Sequence, residues 1–193
     1  MPCTFVRLMG CNLRCSYCDT TFSYDEGIEL SEADLMSKVR SSGIGLVEIT
    51  GGEPLIQTEI YPFINSLIDS GFKVLIETNG SVSIRDVDKR ATLIMDLKTP
   101  ASGMGDKMDY ANIDLIKQSD EIKFVITDRN DYDWSIEIIR RFSLAARCHL
   151  LMSPAFGFIE PEKLARWMLD DRVEARLNLQ LHKIIFGPEK RRV

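Results

Sequence analysis

Residues 46–54, L-V-E-I-T-G-G-E-P, read as a short apolar strand that runs into two glycines and a proline. β-Branched residues favour extended backbone, the glycines allow another chain or a ligand to approach closely, and Pro54 keeps the strand from continuing. Downstream, this strand-then-helix unit repeats. Helix is expected over 59–70, strand over 73–77, a short helix near 84–89, and strand over 92–96. Helix follows over 113–118, strand over 121–127, helix over 134–142, strand over 147–152, helix over 161–169, and a last strand over 175–181. Upstream, 3–9 reads as a strand. Ser31 then opens S-E-A-D, a helix-capping pattern ahead of Leu35, Met36 and Val39.

Strands alternating with helices imply a parallel sheet with crossover helices, and near-continuous apolar strands fit a sheet covered by them. Six or seven strands are too few for the closed eight-stranded barrel and its roughly 250 residues. That leaves an open doubly wound α/β sheet or a curved, incomplete parallel (β/α) barrel. No linker, repeat or low-complexity segment divides the chain, so residues 1–193 are expected to form a single domain.

Acidic residues outnumber basic ones 29 to 24, for a net charge of −5, which argues against a nonspecific nucleic-acid binder. The basic run Lys190-Arg191-Arg192 is read as a solvated terminus. No apolar run approaches the roughly 20 residues that cross a bilayer, and the start carries no export signal. Clustered thiols without export point to a reducing cytoplasm.

Those thiols are Cys11, Cys15 and Cys18, in C-N-L-R-C-S-Y-C. A 4Fe–4S cube takes four ligands, so a loop offering three cysteines leaves one iron to a cofactor or substrate. Zinc is the competing reading, because Cys-x2-Cys is a common half-site; a closed zinc site would need a fourth ligand, and no second spaced pair follows. Cys3 and Cys148 read as small buried residues. In either candidate fold, functional groups gather at the carboxyl ends of the strands. The cysteine loop, 51–54, Glu77-Thr78-Asn79-Gly80, Asp96-Leu97-Lys98, Ser153-Pro154 and 180–182 all fall there. Asn79-Gly80 is a turn signal, but Glu77 before it is not explained by turn chemistry. It is expected to be a cofactor ligand or a support for one.

The cysteine spacing, with Gly51-Gly52-Glu53-Pro54 downstream, resembles the radical S-adenosylmethionine superfamily. Further motifs narrow the resemblance: Arg7 ahead of Cys11, Cys18-Asp19-Thr20-Thr21 after it, D-L-K-T-P at 96–100, E-I-K-F-V-I at 121–126 and L-Q-L-H-K at 179–183. Together they are similar, in order and over nearly the whole chain, to the 7-carboxy-7-deazaguanine synthase family of deazapurine (queuosine precursor) biosynthesis. The resemblance implies the incomplete barrel of that superfamily. It also implies a radical rearrangement of 6-carboxy-5,6,7,8-tetrahydropterin, in which cluster and cofactor generate a 5′-deoxyadenosyl radical, the ring contracts and ammonia leaves. The cofactors implied are the 4Fe–4S cluster, S-adenosylmethionine and Mg2+. The partners implied are the pterin, an electron donor such as a flavodoxin or ferredoxin, and a second copy of the chain, with no nucleic acid and no membrane.

Residue by residue, the resemblance gives the cluster to Cys11, Cys15 and Cys18, and Mg2+ to Thr20. It gives S-adenosylmethionine to Gly52, Asp96, Leu97, Lys98, Ser153, Pro154, Ala155 and Phe156, with Gly52 at the methionyl amino group. It gives the substrate to Arg7, Thr50 and His182, the Arg7 fork suiting a carboxylate. Family members usually carry a Gln-Gly-Glu-Gly stretch upstream of the equivalent of Pro2-Cys3-Thr4, which the present sequence does not include. Cluster and cofactor binding are expected not to depend on it, whereas substrate affinity is. Two other readings stay open: a glycyl-radical-enzyme activase, and an iron–sulfur electron carrier or zinc-binding interaction protein. Arg7, Thr20 and the L-Q-L-H-K segment argue against the activase, which needs an open face for a protein substrate.

Overall fold

The computed structural model describes residues 1–187; the run Lys190-Arg191-Arg192 lies outside them. Seven strands, β1 (Thr4–Leu8), β2 (Leu46–Gly51), β3 (Lys73–Thr78), β4 (Thr92–Asp96), β5 (Glu121–Ile126), β6 (His149–Pro154) and β7 (Arg176–Leu177), pair side by side in chain order. Every pairing is parallel. Strands added always in one direction, through right-handed crossovers, place their helices on one face of the sheet. A doubly wound sheet would reverse its strand order partway. The arrangement is therefore the incomplete barrel, with β1 and β7 as unjoined edges among the described residues.

The outer face is the hydrophobic one. Val47, Ile49, Val74 and Ile76 form a core with Ile60, Phe63, Ile64 and Leu67 of α2 (Ile60–Asp69), whose i, i+3, i+4, i+7 spacing makes one apolar stripe. Ile122, Phe124, Ile126, Leu150 and Met152 pack with Tyr132 and Ile138 of α3 (Arg129–Arg141) and with Leu164 and Met168 of α4 (Pro161–Asp170). Strand side chains alternate between faces. The residues between these positions, Arg7, Glu48, Thr50, Glu77, Asp96, Lys123 and Ser153, therefore point to the concave side.

Several expected elements differ. Ser31 does cap α1 (Glu32–Ser41), accepting from Asp34 N at 3.1 Å. Residues 84–89 form turns instead of a helix, and the fully buried Asn112 holds the backbone at and just before their start. Its Oδ1 accepts from Ile84 N at 3.0 Å, and its Nδ2 donates to the carbonyls of Gly80 and Val82. The segment expected as helix at 113–118 is a 3-10 turn at Tyr110–Leu115 started by Asp109. α3 begins earlier than expected, at Arg129, because Asp128 caps it through Asp131 N. β7 is only Arg176–Leu177, and the chain turns helical in α5 (Leu181–Phe186). Pro154 ends the neighbouring strand without an N–H, so a longer ladder has no donor there.

Asp120, fully buried, ties β4 to the turn before β5. Its carboxylate accepts from Leu93 N and Lys117 N at 3.0 and 2.9 Å and pairs with Lys117 Nζ at 3.0 Å. Asp120→Ala leaves the Leu93 N–H buried without a partner. It should lower stability by about 2–3 kcal/mol, read as a lower urea midpoint at an unchanged slope.

Candidate functional site

The cysteine loop leaves β1 and is pinned at once against the turn after β2. Gly52 N donates to Leu8 O at 3.1 Å and Glu53 N to Gly10 O at 2.8 Å. A Cβ placed on Gly52 would lie 2.0 Å from Gly10 O and 2.7 Å from Cys11 Cβ, and one on Gly51 2.2 Å from Leu8 O. The glycines are thus first a seat for the cysteine loop itself, a use the sequence pattern alone does not distinguish from approach to a ligand.

Glu53, also fully buried, extends that seat to the next strand end. Its carboxylate accepts from Leu55 N, from Thr78 Oγ1 at 2.9 Å and from Asn79 N at 2.5 Å. Burial pushes its pKa up, and the two backbone donors oppose that. Held this way, Asn79 directs its Nδ2 to Asn12 Oδ1 at 3.0 Å and toward Cys11 Sγ at 3.9 Å. Both lie in segments that the sequence pattern marks, but neither Glu53 nor Asn79 has a role of its own there, and Asn79-Gly80 reads as a turn.

Cys11, Cys15 and Cys18 are half-buried and free of disulfides. Leu13, almost fully buried, anchors their loop in the core, while Ser16 bonds to Ser102 O and Ala101 O. Arg14 donates to the carbonyls of Cys11 and Leu13 and lies 4.1 Å from the Tyr24 ring centroid. Cys11 Sγ accepts from Leu13 N at 3.4 Å, and Cys18 Sγ lies 3.8 Å from Thr20 Oγ1. Burial pushes the Cys15 thiol up, against the pull of Lys98. Among the described residues, no three Cys, His, Asp or Glu side chains are gathered as a single-ion site gathers them. Three soft donors from one loop, one of them already receiving an N–H, suit an iron–sulfur cluster with one iron left to a non-protein ligand.

Beside the loop, a row of charges crosses the concave face. Arg7 pairs in register with Thr50, and its guanidinium reaches Gly51 O at 3.4 Å. Thr50 Oγ1 donates to Glu77 Oε2 at 3.1 Å, and Lys123 Nζ sits 2.9 Å from Glu77 Oε1 and 3.6 Å from Asp96 Oδ2. Lys98 Nζ closes the row 3.0 Å from Asp96 Oδ2. Lys123 is the main cause of a Glu77 pKa below the usual carboxylate range. Burial works against the Lys98 ammonium, but Asp96 together with the Cys15 and Cys18 thiols holds its pKa above that of an ordinary lysine. Asp96 Oδ1 lies buried without a hydrogen-bond partner, an acceptor turned to no protein donor. The sequence pattern singled out every member of this row except Lys123, which strand alternation in E-I-K-F-V-I does place on the inner face.

The other expected residues divide. Leu97 sinks its side chain completely into the core and commits its N–H to Lys123 O, so its side chain does not line the site. Ser153, Pro154 and Ala155 are buried at the end of β6, and Phe156 beyond them is exposed. His182 is exposed on α5, which follows the last strand. Its neighbours are the ones that reach the rim. Lys183 Nζ lies 3.2 Å from Asp19 Oδ2 and 4.8 Å from the Phe156 ring centroid, and Gln180 Nε2 donates to Asp19 Oδ2.

Comparison with known proteins agrees with this geometry. Residues 6–152 match the model of the radical SAM superfamily. The chain is 42% identical to the 7-carboxy-7-deazaguanine synthase of Koribacter versatilis (strain Ellin345), over 100% of this chain and 92% of that one. It is 38% identical to the 7-carboxy-7-deazaguanine synthase of Chlorobaculum tepidum, over 100% and 89%. The fold superposes on the crystal structure of QueE from Escherichia coli with a TM-score of 0.75 at 21% identity, covering 93% of this chain and 85% of that one. With a cysteine loop seated on a Gly-Gly turn, an open parallel barrel and relatives of this likeness along its whole length, the chain belongs to the 7-carboxy-7-deazaguanine synthase family of the radical SAM superfamily.

Proposed function

We propose that the chain forms 7-carboxy-7-deazaguanine from 6-carboxy-5,6,7,8-tetrahydropterin as a single catalytic domain, with a 4Fe–4S cluster held by Cys11, Cys15 and Cys18. The observation that carries this is the charged row from Arg7 to Lys98 alongside a seated three-thiol loop. When bound, cluster and S-adenosylmethionine supply the carbon radical that takes a hydrogen from the substrate; the chain's residues bind, orient and exclude water. Gly52 offers backbone to the methionyl ammonium. The unpartnered Asp96 Oδ1 accepts from a cofactor hydroxyl, the Lys98 ammonium holds Asp96 in place, and Ser153, Pro154, Ala155 and Phe156 form the far wall. Leu97 contributes backbone alone.

On the substrate side, the Arg7 guanidinium takes the pterin carboxylate in its fork, Thr50 contacts the ring beside it, and His182 approaches from α5. Thr20 would hold Mg2+ through its hydroxyl, as suits an ion that gives up water reluctantly and needs few protein ligands. A reducing cytoplasm, an electron donor such as a flavodoxin or ferredoxin, and a homodimer complete the reading. No helix among the described residues is long and apolar enough to cross a membrane. The activase reading fits less well, because Gln180 and Lys183 bring α5 across to Asp19, where a protein substrate would need an open rim.

Three outcomes follow from these assignments. Anaerobically reconstituted protein, given the carboxytetrahydropterin, S-adenosylmethionine, Mg2+ and a reductant, should yield 7-carboxy-7-deazaguanine by mass spectrometry. Cofactor cleavage without that product would favour the activase. Thr20→Ala should reduce turnover and its dependence on Mg2+ while leaving iron content unchanged; full Mg2+ dependence in that variant removes the metal assignment. Gly52→Ala should push the cysteine loop off its seat, cutting iron incorporation and cofactor binding by at least about tenfold, as read by iron analysis and equilibrium dialysis.

A further inference from the structure

We propose that Lys123 is a positioning residue that couples the substrate side of the site to the cofactor side, by fixing Glu77 and Asp96 on either side of a single ammonium. The inference rests on the function proposed above and adds to it a residue that neither touches the cluster nor follows from the cysteine and glycine motifs.

Lys123 sits on β5 between Ile122 and Phe124, both fully buried in the outer core, so strand alternation leaves its stem only the concave face. A lysine that is only 17% exposed needs partners, and Lys123 has carboxylates on two different strands. Its Nζ lies 2.9 Å from Glu77 Oε1 on β3 and 3.6 Å from Asp96 Oδ2 on β4. Each carboxylate is then held by a second group. Thr50 Oγ1 donates to the other oxygen of Glu77 at 3.1 Å, and Lys98 Nζ shares Asp96 Oδ2 at 3.0 Å. Asp96 therefore spends one oxygen on two ammonium groups and keeps the other, Oδ1, buried and unpartnered.

That division of labour is the core of the inference. Two cations on Oδ2 fix the rotation of the Asp96 carboxylate and present Oδ1 to a donor from outside the protein. Without Lys123, Glu77 and Asp96 become like charges on neighbouring strands with no cation between them, and Asp96 is free to turn toward Lys98 alone. Burial opposes the Lys123 ammonium, yet Glu77 and then Asp96 hold its pKa above that of an ordinary lysine, so it stays charged at neutral pH. The charges along the row alternate in sign from Glu77 to Lys98, which keeps the polar face nearly neutral without a bound ligand.

The test is S-adenosylmethionine affinity, measured by equilibrium dialysis on anaerobically reconstituted protein with iron content and thermal midpoint recorded alongside. Lys123→Met should weaken binding about ten- to a hundredfold at unchanged iron content and raise the KM for the pterin. Lys123→Arg, which can span both carboxylates, should recover most of the affinity. The double variant Glu77→Gln with Lys123→Met should bind the cofactor more tightly than Lys123→Met alone, because it removes the uncompensated charge; a lysine needed only for folding would show no such rescue. Wild-type affinity in Lys123→Met, or no recovery in either companion variant, would overturn the inference. If Lys123→Met does not fold, the Arg variant decides: an affinity as poor as that of an unreconstituted chain counts against it. Failure of the unaltered protein to bind the cofactor would instead strike at the proposed function.

Discussion

The turn after β2 and the cysteine loop approach so closely that neither has room for a side chain between them. Leu8 O and Gly10 O accept the N–H groups of Gly52 and Glu53, and a Cβ on Gly52 would clash with Gly10 O at 2.0 Å. This contact sets the height of Cys11 above the sheet. It also delivers Glu53 to the floor, where a fully buried carboxylate bonds Thr78 and Asn79 and so fixes the end of β3 to the same point. Three strand ends and the thiol loop are therefore registered by two backbone bonds and one buried carboxylate. A site that must hold a cofactor between a metal centre and a substrate depends on that registration, because errors of about an ångström cost heavily in positioned chemistry.

A second constraint is the division of the sheet into two faces. The outward residues of β2 to β6 are aliphatic or aromatic and lie under helices, which supplies the burial that stabilises the fold. The inward residues near the strand ends are charged or hydroxylic. A closed eight-stranded barrel fills its interior with branched side chains. Seven strands left unjoined among the described residues carry these polar groups on the concave face, where they satisfy one another: Thr50 to Glu77, Glu77 to Lys123, Lys123 and Lys98 to Asp96. Apart from Lys98 and Asp96, two residues apart at the end of β4, the pairs cross strands, so the sheet register that positions them also determines whether they can form.

Much of this was legible in the sequence, for reasons that can be named. The strands were readable because Val47-Ile49 and Ile122-Phe124-Ile126 are apolar at alternate positions over short spans, and α2 because its apolar residues recur at helical spacing. The cysteines and the Gly-Gly turn announce themselves by residue type. What stayed hidden depends on partners far apart in the chain. Asn112 holds the backbone from Gly80 to Ile84, at and just before the turns of 84–89, from 28 to 32 residues away, and nothing local to either segment reports this. β7 ends early through the lack of an N–H on its neighbour, not through its own residues. Leu97 falls inside a motif that faces the site, yet the step from Asp96 to Lys98 turns it into the core.

Lys123 shows the same limit inside the site. Its strand is expected from the sequence and its face follows from alternation, but nothing in E-I-K-F-V-I names its partners until Glu77 and Asp96 are brought to its sides. The two carboxylates are more visible in sequence because each sits at a strand terminus beside a turn. Neither could be held ionised and oriented on a half-buried face without a cation between them, since unpaired buried charge costs several kcal/mol. The same reasoning reaches α5. Asp19 follows the last cysteine and carries the bonds from Gln180 and Lys183, so the far end of the chain is drawn to the loop that begins the site. The charged groups of this barrel thus act in two places: across the floor, where Lys123 sets the spacing of the carboxylates, and at the rim, where Lys183 ties the helix after the last strand to the cysteine loop.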